Sequence, residues 1–225
     1  MKWPNESDAY RRARDELLRA EIELRRQEET VAERRRALPL GGAVTGDYVF
    51  DAPSAPVTFA ELFLSGKDTL YLYNFMFVPG ERRLPLEVAC PSCTSIIDGM
   101  DGALRHLLDR VAIAIVAKAP IDQFTAWGTK RGWRFAPLYS SSRTTFNRDY
   151  NAESEDGDQL PIAHVFTRSN GRIHHRWSSE LFTAPRDPSQ QARHVDYMWP
   201  IWKVLDLIPE GRGTEWNPRY GYEKR

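Results

Sequence analysis

Cysteine is nearly absent from this sequence, with two among 225 residues. That scarcity excludes the disulfide-stapled scaffold of a small secreted domain. Long apolar runs are missing as well. The longest, residues 111–117 (Val-Ala-Ile-Ala-Ile-Val-Ala), falls far short of the ~20 residues needed to span a bilayer. Met1-Lys2-Trp3-Pro4-Asn5 leads into charged residues with no apolar signal core behind it. Neither charge predominates: 31 basic and 31 acidic side chains give a formal net charge of zero. A global electrostatic pull toward nucleic acid or an anionic membrane is thereby removed. Lys itself is scarce, supplying six of the 31 basic residues, and the rest are Arg. The sequence does have apolar material, at 41% hydrophobic and 12% aromatic with 7 Trp, which suffices for a proper core. We expect a soluble cytoplasmic protein with no nucleic-acid or membrane partner, built as one domain with an appended element.

The appended element is residues 7–36, densely charged and free of Gly and Pro. Ser7 or Asn5 is placed to cap a helix, with Glu6 and Asp8 near its start and Arg34, Arg35 and Arg36 near its end, the charge order that suits a helix dipole. Its weakly apolar positions step as Tyr10, Ala13, Leu17, Ala20, Leu24, Gln27 and Val31. So narrow a seam must pack on the body of the chain or on a second copy, and a homodimer is the expectation. Ten basic and nine acidic residues in 1–40 nearly cancel, as on a salt-laced surface helix. The organisation read from this is a charged helix over 1–40, a domain over 41–212 and a tail over 213–225.

Within the domain, residues 47–50 suggest a short strand, followed by turns at Pro53, Pro56 and Thr58, and 59–63 one helical turn. Residues 69–77, rich in aromatics and bounded by Gly66 and Pro79-Gly80, are expected as a central strand. After an irregular stretch over 81–89 comes Cys90-Pro91-Ser92-Cys93. The segment behind it sets Ile96, Ile97, Met100, Leu104, Leu107 and Leu108 on one helical face. A buried strand at 111–117 follows, then a helix from Pro120 to about Lys130 that Gly132 stops. Residues 133–139 are expected as a strand, 140–157 as loop, and 160–177 as a hairpin turning at Asn170-Gly171. Residues 189–208 return to helical spacing, with Pro200 interrupting that helix or setting its start. The order implies an α/β fold, a mixed sheet with helices on both faces.

A C-x-x-C pair serves two chemistries: a reversible disulfide, or half of a zinc site. For zinc, no second C-x-x-C exists, and the histidines are His106, His164, His174, His175 and His194. His174 and His175 are adjacent on an expected strand and so point to opposite faces. The redox reading has better local support. The motif follows a core strand and opens a helix, and Pro91 sits where a first helical turn tolerates it. Cys90 at the helix N-terminus meets unpaired N–H groups that favour thiolate, so it is the expected attacking thiol and Cys93 the buried resolving thiol. Two inert buried cysteines are the bland alternative.

Beyond these elements the sequence resembles the thioredoxin-like bacterial proteins of domain-of-unknown-function family 899, described as predicted dithiol-disulfide oxidoreductases. The resemblance is carried by Arg36-Ala37-Leu38-Pro39, Tyr48-Val49-Phe50-Asp51, Asn74-Phe75-Met76-Phe77, Cys90-Pro91-Ser92-Cys93, Ala119-Pro120, Gly132-Trp133-Arg134-Phe135, Phe146-Asn147 with Asp149, and Pro209 with Gly211-Arg212. It runs from the N-terminal helix to about Arg212. It implies a thioredoxin-like three-layer α/β/α fold, with Cys90 and Cys93 catalytic. Pro91, Ser92, Asn74, Trp133, Asn147 and Pro161 are then candidate substrate-binding residues. Pro161 stands where thioredoxin-like folds carry a cis proline facing the dithiol. Asn74 replaces the family's usual His, near where thioredoxins keep a buried carboxylate that moves protons for the resolving thiol; an amide cannot do this. Its other reading is an amide satisfying buried backbone groups. Arg143 and Arg148 also depart from the family pattern and could attract an anionic substrate.

The expected activity is thiol–disulfide exchange on a disulfide-containing protein or small thiol substrate. It needs an external electron donor or acceptor and no metal or organic cofactor. Peroxiredoxins share the fold, but their Thr three residues before the reactive Cys is here Glu87, and their upstream Pro is Arg83. A peroxidase is therefore the weaker enzyme reading. The non-enzymatic alternative is a binding module using the aromatic cluster of Tyr197, Trp199 and Trp202.

Overall fold

The computed structural model describes residues 2–77, 89–188, 193–213 and 216–222. Its contacts divide the chain into two compact units, Met1–Leu40 and Gly41–Arg225. The first is helix α1 (Asp8–Ala37). Ser7 caps it, its hydroxyl accepting the Tyr10 N–H at 3.1 Å. Asp8 in the first turn and Arg34, Arg35 and Arg36 in the last each oppose the partial charge at their end. Tyr10, Leu17, Leu24 and Val31 along its seam are exposed.

The second unit is organised around β3 (Thr69–Phe75), the middle strand of a five-stranded sheet. On one side it pairs in parallel with β4 (Ala112–Ala117), which pairs in parallel with β5 (Leu138–Ser140). On the other it pairs antiparallel with β6 (Ala163–Ser169), which turns back as β7 (Arg172–Ser178). The β6–β7 turn falls at Asn170 (φ 51°) and Gly171 (φ 75°), the left-handed pair that matches strand twist. Two small sheet strands, β1 (Val49–Phe50) and β2 (Val57–Thr58), precede β3. A parallel pair joined by a helix, with an antiparallel hairpin beyond the central strand, is the thioredoxin-like arrangement.

Helix α2 (Pro91–Arg110) connects β3 to β4 and α3 (Ile121–Arg131) connects β4 to β5. Both crossovers step the same way along the sheet, so a common right-handed sense lays both helices on one face. Ile96, Ile97 and Leu104 of α2 and Phe124 and Trp127 of α3 accordingly share one core cluster with Tyr73 and Phe75 of β3. The other face is covered more thinly, by β1, β2, a 3₁₀ turn (Phe59–Leu62) and the short α4 (Phe146–Asp149). There Phe50, Phe59, Phe146 and Phe166 interlock over Leu70 and Leu72 of β3, with Phe59 edge-on to Phe166 at 4.9 Å. Strand alternation thus sorts β3: Tyr71, Tyr73 and Phe75 to the helical face, Leu70, Leu72 and Asn74 to the other.

Several expectations change. Residues 133–137 are not strand, because the Asp101 carboxylate takes the N–H groups of Arg134, Phe135 and Ala136, each at 2.9 Å. A chain whose donors are so occupied cannot extend the ladder, and β5 starts at Leu138. The 140–157 loop carries α4, whose Phe146 is fully buried. Helical structure near 189–208 shrinks to a 3₁₀ turn (Asp196–Met198) and α5 (Pro200–Leu205), with Pro200 in the first turn. Leu107, assigned to the buried face of α2, is exposed, and Cys93 and Thr94 are buried there instead. Pro79-Gly80, nearly all of the 81–89 stretch, and residues 189–192 lie outside the described residues, as do Arg83 and Glu87. No helix among the described residues is long and apolar enough to cross a membrane.

Candidate functional site

Cys90 is the N-cap of α2, with Pro91 in its first turn. The Cys90 N–H donates to the Met76 carbonyl at 3.0 Å, tying the helix start to the end of β3. Its carbonyl accepts from the Thr94 N–H at 2.9 Å, the first bond of the helix. Proline suits this turn because its missing N–H would have no helical partner. Cys90 keeps 7% of its surface exposed and Cys93 none. Both are free thiols.

The two sulfurs are unequal. The Cys90 thiol is brought down to about 7, chiefly by a hydrogen bond from Cys93, against the opposing effect of burial. The N–H groups of Cys93 and Ser92 and the Ser92 hydroxyl add to the lowering. Burial, and then the neighbouring Cys90, push Cys93 well above the ordinary thiol range. Against that, the Tyr73 hydroxyl donates to Cys93 Sγ at 3.2 Å, and the Met76 N–H also favours its thiolate. Tyr73 is itself fully buried, and burial holds its phenol far above its usual range. It is therefore a donor at all ordinary pH.

Tyr220 closes the site from the chain's end. Its hydroxyl donates to the Ala89 carbonyl, and its ring stands edge-on to Trp127 at 5.4 Å. Arg131 donates to its carbonyl at 2.7 Å. The bond to Ala89 sets Tyr220 one residue from Cys90, and burial first, then Cys90 and Cys93, raise its phenol to about 12. Tyr220, within the 213–225 tail, thus packs against the domain here.

Of the residues assigned to substrate binding, Pro91 and Ser92 lie with the dithiol. Asn74 does not: alternation along β3 turns it to the sheet face opposite the one on which Tyr73 and Phe75 pack with Cys93. Nor does it satisfy buried backbone groups among the described residues, where neither its Oδ1 nor its Nδ2 has a hydrogen-bond partner. Asn147, next to Phe146, belongs to that opposite face too, donating to Gln159 Oε1 at 2.7 Å. Trp133 is a structural peg, its ring edge-on to Phe75 at 5.8 Å and its indole N–H held by Asp98 at 2.8 Å. Pro161 is buried and accepts from His194 through its carbonyl at 3.1 Å. Its peptide bond is not cis; no described residue follows a cis bond. Arg143 is engaged with Asp51. Among the described residues no three His, Cys, Asp or Glu side chains converge as a metal-ligand set.

Sequence reasoning missed Tyr73 and Tyr220. The alternation that puts Phe75 on the helical face also puts Tyr73 there, so Tyr73 was within reach of the pattern. Tyr220 is distant in sequence and carried no such signal.

Fold and site together define a thioredoxin-like α/β protein with an asymmetric dithiol at a helix N-terminus. The chain belongs to the family of bacterial proteins of unknown function called DUF899, whose pattern it matches over residues 2–224. No curated protein matches it. Among solved structures it is similar to peroxidoxin BcpB from Mycobacterium tuberculosis, at 13% identity and TM-score 0.46, covering 74% of this chain and 97% of that one. It is similar to PrxQ from Xylella fastidiosa at 12% identity and TM-score 0.45, covering 74% and 96%. A peroxiredoxin-like protein from Aquifex aeolicus is similar at 10% identity and TM-score 0.44, covering 63% and 75%.

Proposed function

We propose that this protein is a thiol–disulfide oxidoreductase working through Cys90 and Cys93. The Cys90 thiolate attacks one sulfur of a substrate disulfide, forming a mixed disulfide and expelling the first substrate thiolate. Cys93, deprotonated, then attacks Cys90 Sγ, breaks the mixed disulfide and releases the second substrate thiolate. The substrate gains two electrons and the enzyme holds a Cys90–Cys93 disulfide, which an external dithiol or glutathione pair reduces again. The same steps run backward for an oxidase. The single observation that supports this reading is the division of labour between the sulfurs. Cys90 is the partly exposed, acidified thiol, and Cys93 is fully buried beneath it with a phenol aimed at its sulfur.

The substrate would be a disulfide-bearing protein or a small disulfide such as oxidised glutathione, met in the cytoplasm. For assembly we propose a homodimer formed along the seam of α1. Light scattering on a chain lacking residues 1–36 would show the monomer mass if so, whereas a full-length chain already monomeric would refute it.

The deciding experiment equilibrates the protein in glutathione and dithiothreitol buffers and counts free thiols. A reversible two-electron couple, lost in both Cys90→Ser and Cys93→Ser, is the expected result. Thiols that never pair across the whole range would refute the two-cysteine mechanism. A peroxide-consumption assay would then separate a one-cysteine peroxidase from a binding module.

A further inference from the structure

On the face of the sheet away from the dithiol, a cavity of about 770 Å³ opens beside β6, β7 and the loop that follows α4. That volume lies in the range of small-molecule sites, ~300–1,000 Å³. Neither cysteine nor Tyr73 or Tyr220 lines it.

His164 lies in its lining and is 1% exposed. Its Nδ1 is 2.7 Å from Ser178 Oγ, and Ser178 Oγ is 2.7 Å from His175 Nε2. Burial holds His164 neutral, down to about 3, and lowers His175 as well. A single hydroxyl proton can serve at most one of these two neutral imidazoles, so at least one ring donates to Ser178 Oγ. His164 Nε2 has no hydrogen-bond partner among the described residues. A buried ring nitrogen left so is destabilising unless something meets it. With His164 donating from Nδ1 to Ser178 and Ser178 donating to His175, that nitrogen is a bare lone pair, an acceptor awaiting a donor.

The rest of the lining has the charge such a donor would carry. Asp149, Glu153, Glu155 and Glu180 contribute carboxylates, and no Lys or Arg is among the described lining residues. Glu153 is matched by Lys118 at 2.6 Å, and Asp149 accepts from the Tyr48 hydroxyl at 2.9 Å. Glu155 and Glu180 are exposed and have no ion-pair partner among the described residues. The rings of Tyr48 and Tyr150, 6.0 Å apart at 69°, line the same cavity.

We propose that this cavity binds a small organic amine in its ammonium form. Its charge is balanced by Glu155 and Glu180, one N–H is accepted by His164 Nε2, and its carbon chain lies against Tyr48 and Tyr150. Binding selects the tautomer in which His164 donates to Ser178. This site is independent of the dithiol chemistry.

The test is calorimetric titration of the full-length protein with putrescine, cadaverine and choline, and with 1,4-butanediol as the uncharged counterpart of putrescine. Saturable 1:1 binding of at least one amine, no binding of the diol, and at least a tenfold loss of affinity in the Glu155→Gln/Glu180→Gln variant are expected. These carboxylates are exposed, so the variant should keep its fold, which circular dichroism checks. The double Cys90→Ser/Cys93→Ser variant should bind as the wild type does. The proposal is overturned if none of the three amines binds at millimolar concentration. It is overturned equally if the diol binds as well as putrescine, or if the folded carboxamide variant retains full affinity.

Discussion

The Tyr73 hydroxyl donates to Cys93 Sγ at 3.2 Å, and both residues are fully buried. The bond is made to the sulfur that burial most strongly keeps protonated. In the proposed mechanism it therefore matters most when Cys93 must become a thiolate to resolve the mixed disulfide. A hydrogen bond to a charged acceptor is worth about 1.5–3 kcal/mol, so Tyr73→Phe should slow resolution roughly ten- to a hundredfold at constant pH. Attack by Cys90 should change little. The check is to load Cys90 with a chromogenic aryl disulfide and follow the lifetime of the adduct, alongside the rate of Cys90 alkylation. Equal loss in both rates would mean that Tyr73 acts only through packing.

Cys90 titrates at about 7 in the fold against an ordinary value of 9.0. Below 7 its alkylation should fall about tenfold per pH unit as thiolate is lost. The same shift is a stability statement. Between pH 7 and 9 the unfolded chain binds more protons at this site than the folded one, so stability rises with pH there. It is lost as pH falls through 7. The full effect is on the order of 2–3 kcal/mol at ~1.4 kcal/mol per unit. Cys93, raised rather than lowered, works against stability only above 9. The reduced wild type should accordingly gain melting temperature from pH 6.5 to 8.5 relative to Cys90→Ser. Parallel curves would show that Cys90 is not acidified.

The backbone course was legible wherever one local signal acted alone. Gly132 in the left-handed region (φ 79°) ends α3 where its lack of a Cβ allows, and Asn170-Gly171 turns the hairpin because Asn tolerates that region and Gly adopts it freely. Cys90 and Pro91 mark the start of α2 by the rules of a first turn. What was not legible depends on contacts across the chain. Asp101 removes a strand from 133–137 through bonds spanning 33 residues or more, which no window of sequence contains. Tyr220 reaches Ala89 across 131 residues. Asn74 is a different case. Its assignment came from analogy of position, and the plain two-residue period of β3 contradicts it, with Leu72 and Asn74 on one face and Tyr73 and Phe75 on the other.

Asn74 is 2% exposed, with both amide atoms unpartnered among the described residues. Such a group forfeits hydrogen bonds with water and regains none, at about 1–3 kcal/mol. Asn74→Leu, similar in size and apolar like its neighbours Leu70 and Leu72, should stabilise the fold by about that amount in urea unfolding. Because the residue faces away from the cysteines, the reduction potential of the dithiol should stay within a few millivolts. A large change in potential would restore Asn74 to the redox site.

Asp98 and Asp101 stand one turn apart on α2 and together hold the start of the segment that follows α3. Asp98 takes the Trp133 indole and Arg131, and Asp101 takes three successive backbone N–H groups. A single carboxylate accepting three donors acts as a cap on a chain that would otherwise be free to add to the sheet. Asp101→Ala should cost about 1–2 kcal/mol, tempered because these amides lie near solvent and can be rehydrated. Hydrogen exchange should quicken at the amides of Arg134, Phe135 and Ala136 well beyond the global change. Asp101→Asn, which keeps one acceptor oxygen, should recover part of both effects. Cys90 lies at the other end of the interaction network, at the start of α2, so its alkylation rate should not move. A fall in that rate would show that the Asp101 cap also sets the position of the helix that carries the dithiol.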